Sequence, residues 1–496
     1  MAKKIIKEPS RTLMEYRLLP GYTTHETSID NISLETCLAW SPEGEWKMKL
    51  NIPIVSAAMQ SVSGVEMGIE LARLGGLAFI FCSQTVENEA AMIRDIKSYK
   101  AGFVDPFYVN PDMLIGEVFE ISKSKGFNTF PVVDVNHRLL GILTKNDYSG
   151  THHASLKVSE RMIPRKDLVV GVNILDIKEA NAVLRESHQS VLPIVNEENQ
   201  LKFLVFRKDI RNHMNYPQEL LDEQKRLLTG AAINTYDYEE RVPALVEAGV
   251  DIVAVDSSDG FSFYQKNTLA WISKNYPSLP VIGGNIITKE GFRFLVDCGA
   301  RAVKVGMGGG SICITQEQKG TGRGLATAII EVVAERDRYY KETGRYIPVV
   351  ADGGIVDSKD ITIAIALGAD YVMMGRYFAR MEESPTEKIQ IGSRIMKPYW
   401  GEGSARAREW KSSRYYQMKF AEGVEGFVQY AGKLRDNLPE TLAKIKASMS
   451  SCGVKNIPEF HQKAELEVVS ALSIREGKVH DIYMPEELAE YKSEKY

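Results

Sequence analysis

One cysteine of this chain sits where a thiol can react. The stretch Gly306-Met-Gly-Gly-Gly-Ser-Ile-Cys-Ile-Thr-Gln316 sets Cys313 on a loop that carries four glycines and Ser311 just before it. Such glycines let backbone N–H and C=O groups approach a ligand or an ion with no side chain in the way. A thiol on that loop is placed as a nucleophile rather than as core filling, although a glycine-rich loop with a bystander cysteine reads the same way. The other four cysteines, Cys37, Cys82, Cys298 and Cys452, have no such loop around them. They read as small core or surface thiols, and the odd, scattered set without metal-ligand spacing fits a reducing, cytoplasmic setting.

Further polar residues close apolar runs. Asp352-Gly-Gly-Ile355 and Met373-Met-Gly-Arg376 offer the backbone donors of Gly353, Gly354 and Gly375, and Asp352 suits a ribose diol. Any one of these glycines alone reads as a tight turn. Together with Ser311 they favour a ribose-phosphate site. Asp256-Ser257-Ser258-Asp-Gly260 and Gly283-Gly-Asn285 add polar groups that either orient loops or meet a second ligand, such as a dinucleotide. No strand–GxGxxG–helix unit is present, so a dinucleotide would not be bound by a Rossmann domain.

The elements that must carry these residues form a series of short apolar runs: 52–56, 77–81, 229–233, 251–256, 280–285, 302–306, 347–352 and 370–375. Helical patterns such as Tyr238–Ala248, Lys289–Cys298 and Leu325–Thr343 lie between most of them. Alternating buried strands and helices predict a parallel sheet with crossovers, and eight strands fit an α/β fold of the (β/α)8 TIM-barrel type. Chemistry in such a barrel sits on the loops after the strands, and phosphate is often held after strands seven and eight.

One gap breaks the series, and it contains a repeat with a period of 62 residues, from Pro131 to Pro193. Segments 130–147 and 192–209 align, and each follows an amphipathic helix, Ile115–Lys125 or Ile177–Ser187. The repeat resembles a tandem pair of CBS modules, inserted at 102–219 between barrel parts 1–101 and 220–496. A second long segment, about 392–437, is polar, rich in Gly, Ser, Arg and Tyr, and without clean periodicity. It reads as a mobile flap.

The chain has 496 residues, enough for two or three domains, with 44% hydrophobic and 25% charged residues. A net charge of -4 gives no argument for nucleic acid, and no run approaches the ~18 apolar residues of a membrane span. The first ten residues lack an apolar stretch of signal-peptide length.

Pro53-Ile-Val-Ser-Ala-Ala-Met59, Asp256–Gly260, Gly283-Gly-Asn285, Gly306–Thr315, Ala351-Asp-Gly-Gly354 and Met373-Met-Gly375 together resemble the IMP dehydrogenase family, in order and spacing. So do the twin CBS insert and the flap with Tyr399-Trp-Gly-Glu-Gly-Ser404 and Ser413-Arg-Tyr415. The resemblance implies oxidation of inosine 5′-monophosphate (IMP) to xanthosine 5′-monophosphate (XMP) with NAD+ and water. Cys313 would attack C2 of the purine, hydride would pass to NAD+, and the flap would then close for hydrolysis of the thioimidate. Ser311, Asp352, Gly353, Gly354, Gly375, Arg376, Tyr399, Gly403 and Glu422 match IMP-contacting positions. Asp256, Ser257, Ser258, Asn285, Gly306 and Gly308 match the cofactor side, with Gln316 near the nicotinamide or capping the following turn.

For the water, the family pattern offers Arg414 and Tyr415, with Thr315 and Glu422 as an alternative relay. Gly308, Gly310 and Cys313 match a monovalent-cation (K+) loop, completed in the family by a neighbouring subunit through a segment matching Glu476, Gly477 and Lys478. Lys478 replaces a glycine often seen there. A homotetramer, purine nucleotides at the CBS pair, and octamers through those modules are further expectations. The rival GMP reductase shares the barrel, cysteine and threonine but has no water to activate, so Arg414 and Tyr415 favour the dehydrogenase. A nucleotide sensor that had lost catalysis would predict a damaged loop, which this chain lacks.

Overall fold

Apolar runs without polar alternation are stable only when both faces are covered, as in a parallel strand under a shell of helices. Eight of them pair in parallel and close into a barrel in the computed structural model. They are β1 (Ile54–Ser56), β2 (Leu77–Ile80), β3 (Gly230–Ile233), β4 (Ile252–Val255), β5 (Val281–Ile286), β6 (Ala302–Val305), β7 (Val349–Asp352) and β8 (Tyr371–Met374). Their order round the ring is their order in the chain, and β8 pairs back onto β1 through Val372–Ile54 and Met374–Ser56. All eight expected runs are therefore barrel strands. The structure describes the chain except residues 1–4, 45–46, 100–102, 105, 126, 150–151, 208–215, 409–418 and 481–496.

The helices follow from caps and apolar stripes. Thr288 accepts from the Gly291 amide to start Lys289–Asp297, which buries Phe292, Leu295 and Val296 on one face. Asp357 caps Ser358–Ala366 in the same way, and Ser262 caps Phe263–Asn275. No helix among the described residues is long and apolar enough to cross a membrane.

The chain divides into two units, the barrel unit (1–71, 76–93 and 229–496) and a second unit of 72–75 with 94–228. The insert expected at 102–219 falls within the second unit. Its helices Ile115–Lys125 and Ile177–Ser187 start 62 residues apart, as do strands Thr129–Val133 and Val191–Val195, and Leu139–Thr144 and Leu201–Phe206. The repeats also meet reciprocally. The Leu139 amide donates to Asn199 O and the Leu201 amide to His137 O, each at 3.0 Å, so one period exchanges the two bonds. His137 and Asn199 both adopt positive φ, at 60° and 61°.

The described residues around 392–437 hold regular elements that the sequence reading did not place. Ile389–Ile391, Arg394–Trp400 and Glu425–Gln429 form a three-stranded antiparallel sheet, and Leu434–Ser451 is helical. The Arg394–Trp400 strand finds its second partner across a long excursion rather than a local hairpin, so no short-range turn signal announced it. Arg414 and Tyr415 lie outside the described residues.

Candidate active site

The C-terminal ends of the barrel strands surround an open cleft with an empty volume of about 1190 Å³. Cys313 lines it, and so do Ser311, Thr315, Asp352, Gly353, Gly354, Gly375, Arg376, Tyr399, Gly403 and Glu422. Asp256, Ser257, Ser258, Asn285, Gly306, Gly308 and Gly310 share the same wall. The expected ribose-phosphate and cofactor residues thus meet in one cavity. Glu476, Gly477 and Lys478 do not line it; they close the short helix Ala471–Glu476, which packs near Leu13–Glu15.

At the cysteine, the Cys313 Sγ lies 3.2 Å from Thr315 Oγ1, and that hydroxyl donates to Glu422 Oε2 at 3.0 Å. Thr315 and Glu422 are buried, whereas Cys313 is partly open to the cleft. The segment bearing Glu422 is bound to the cysteine loop by backbone. Ile314 N donates to Glu422 O, and Val424 N to Ile312 O, each at 3.0 Å. The position of the carboxylate is thereby set by main chain, not by its side chain alone.

Asp352, at the end of β7, is held by two neighbours. Asn285 Nδ2 donates to Asp352 Oδ2 at 2.9 Å and to Gly306 O at 2.8 Å, while Lys304 Nζ pairs with the same carboxylate oxygen at 3.2 Å. Oδ2 is thus bound within the protein, and neither contact engages Oδ1, the oxygen left to accept from a ligand diol. Asn285 is aimed from beneath by buried Gln265, whose Oε1 accepts from Gly284 N at 2.7 Å and whose Nε2 donates to Gly284 O at 2.8 Å. Gly306 is required by its neighbour: at φ +139°, an added Cβ would stand 1.9 Å from Asp352 O.

Tyr399 closes the opposite wall. A Cβ on Gly375 would meet its hydroxyl at 2.8 Å, so the two are in close approach. Burial, followed by the charge of Asp352, pushes the Tyr399 hydroxyl well above its ordinary range, with Arg376 opposing, so it remains a neutral donor. Next to it, Glu402 fastens the turn after the strand. Its carboxylate accepts from Gln60 N at 2.7 Å and from the Ser83 hydroxyl.

The profile of the family described as IMP dehydrogenase / GMP reductase domain matches residues 10–480. The chain belongs to that family. An inosine-5′-monophosphate dehydrogenase of Tritrichomonas foetus is 48% identical over 98% of this chain and 99% of its own length. One from Haemophilus influenzae is 36% identical over 98% and 99%. Among solved structures, a GMP reductase of Trypanosoma brucei in complex with guanosine 5′-monophosphate is similar, with a TM-score of 0.79 and 28% identity. That likeness covers 96% of this chain and 98% of the other.

Three residues that brace this cleft escaped the sequence reading: Lys304, Gln265 and Glu402. Lys304 did carry a signal, being a charge inside the otherwise apolar strand Ala302-Val-Lys-Val305. Gln265 lies on a helix and carries none, because only the fold brings it under Gly284. Gln316 Nε2 donates to Gly308 O at 3.0 Å, back across the cysteine loop rather than onto the turn that follows it.

Proposed function

We propose that the cleft oxidises IMP to XMP with NAD+ and water through a covalent intermediate on Cys313. The observation that carries this is the contact of Cys313 Sγ with the Thr315–Glu422 pair, beside a carboxylate and glycines suited to a ribose phosphate. Asp352, steadied by Asn285 and Lys304, takes the ribose diol. Ser311, Gly353, Gly354, Gly375 and Arg376 receive the phosphate, and Tyr399, Gly403 and Glu422 complete the nucleotide's surroundings. Asp256, Ser257, Ser258, Asn285, Gly306 and Gly308 face the nicotinamide.

The purine C2 is a poor hydride donor until a nucleophile makes it tetrahedral. As the thiol proton passes to Thr315 Oγ1 and the hydroxyl proton to Glu422 Oε2, Sγ bonds to C2. Hydride then leaves C2 for the nicotinamide, giving a thioimidate on Cys313. Glu422 gives up the thiol's proton to solvent, water adds at C2 as a base takes its proton, and the C–S bond breaks to release XMP, the departing thiolate taking a proton to restore the thiol. Arg414 and Tyr415 are the family's candidates for that base, and Thr315 with Glu422 is a second route. An arginine, which stays protonated in water, serves only in a closed, dry site, which makes closure of the 392–437 segment part of the proposal.

The carbonyls of Gly308, Gly310 and Cys313 suit a monovalent cation such as K+. Gly308 O and Gly310 O each accept one protein hydrogen bond, from Gln316 and from the Cys313 amide, and retain a second lone pair. The bound ion would order the cysteine loop, with Glu476, Gly477 and Lys478 of a neighbouring subunit completing the shell in a homotetramer. The reciprocal repeats of the second unit support a CBS pair at 102–219 that takes purine nucleotides. A cytoplasmic location follows from the same family reading.

The test is NADH absorbance when the purified protein meets IMP and NAD+, with and without K+. Formation of NADH that Cys313→Ala abolishes is expected. Turnover of GMP with NADPH instead would replace the dehydrogenase by the reductase.

A further inference from the structure

Glu422 meets a charge on the side away from the nucleophile. That side chain is only 1% exposed, and its second oxygen, Oε1, lies 3.4 Å from Lys319 Nζ. Lys319 in turn reaches Asp259 Oδ2 at 3.4 Å, on the loop after β4, where the carboxylate is 58% exposed. Thr315 and Lys319 are the first and last residues of the short helix Thr315–Lys319, four positions apart, so both side chains fall on one helical face. Glu422 faces that turn with one oxygen for each. Among the described residues Lys319 supplies its ion pair.

We propose that Lys319 is a positioning residue for the reaction, its ammonium group holding the buried Glu422 carboxylate by Oε1 with Oε2 turned to Thr315. The proposal rests on the reaction assigned above. A carboxylate this buried is costly unless paired, and Lys319 supplies the pairing charge. Burial acts to lower the Lys319 pKa, but Asp259 and Glu422 outweigh it and raise the group above the ordinary lysine value, so the charge is permanent at neutral pH. Asp259 steadies the lysine from the solvent side.

Two readouts test this: steady-state kinetics with IMP, and alkylation of Cys313 by iodoacetamide without substrate. Lys319→Met is expected to lower kcat about tenfold, to leave the KM for IMP within about twofold, and to slow alkylation by about the same factor as kcat. Lys319→Arg, which keeps the charge, is expected to recover most of both rates. Unchanged kcat and alkylation in Lys319→Met would overturn the proposal, as would an effect confined to KM or to melting temperature. Should Lys319→Met not fold, Lys319→Gln carries the same expectation and the same refutation. Alkylation needs no turnover, so it judges the lysine even if the unaltered protein leaves IMP unchanged, a result that would count against the functional reading alone.

Discussion

Thr315 and Glu422 stand 107 residues apart in the chain, yet the threonine hydroxyl donates to the glutamate carboxylate at 3.0 Å. The same hydroxyl touches the reactive thiol at 3.2 Å, so the pair is a ready path for a proton leaving Cys313.

Glu422→Gln keeps the shape and a hydrogen-bonding oxygen but cannot accept a proton. It is expected to lower kcat by about 10²-fold while the KM for IMP stays within a few-fold. Steady-state NADH absorbance reads this directly. A variant as fast as the unaltered protein would remove Glu422 from the proton path.

Gly306→Ala should damage stability and substrate binding together. Its Cβ would collide with Asp352 O, and φ +139° is strained for any L side chain. A loss of about 2–4 kcal/mol is expected from overpacking and backbone strain. The urea midpoint measures it, and a raised KM for IMP should accompany the shift of Asp352.

His461 predicts an acid-side effect far from the chemistry. Burial lowers its pKa below the usual 6.5, with Asp370 opposing and Arg336 reinforcing, and its Nε2 meets Ala369 O at 3.0 Å. The folded state then holds the ring neutral while the unfolded chain binds a proton. Stability from this group is complete above pH 6.5 and is lost as pH falls towards the lowered folded value. His461→Gln should flatten the stability curve below pH 6.5 by up to about 1.4 kcal/mol per pH unit, read from unfolding midpoints at several pH values.

Much of this was legible in the residues. The eight apolar runs and the 62-residue repeat are local periodicities, and periodicity follows directly from which faces must be buried. That Cys313, Asp352 and Gly375 end neighbouring barrel strands and meet at one cleft was equally visible, because strand order places their loops together. The sheet inside 392–437 was not, since Arg394–Trp400 and Glu425–Gln429 pair across a long interval with no alternation to mark them.

The sequence by itself determined the barrel, the repeat and the candidate groups at the strand ends, because those depend on residue type and spacing along one chain. Tertiary structure alone decided their partners. Gln265 under Gly284, Lys304 and Asn285 on Asp352, and Lys319 on Glu422 come from different strands and loops. Directional contacts of about 3 Å between distant segments depend on how the barrel closes, and a one-dimensional pattern holds no record of that.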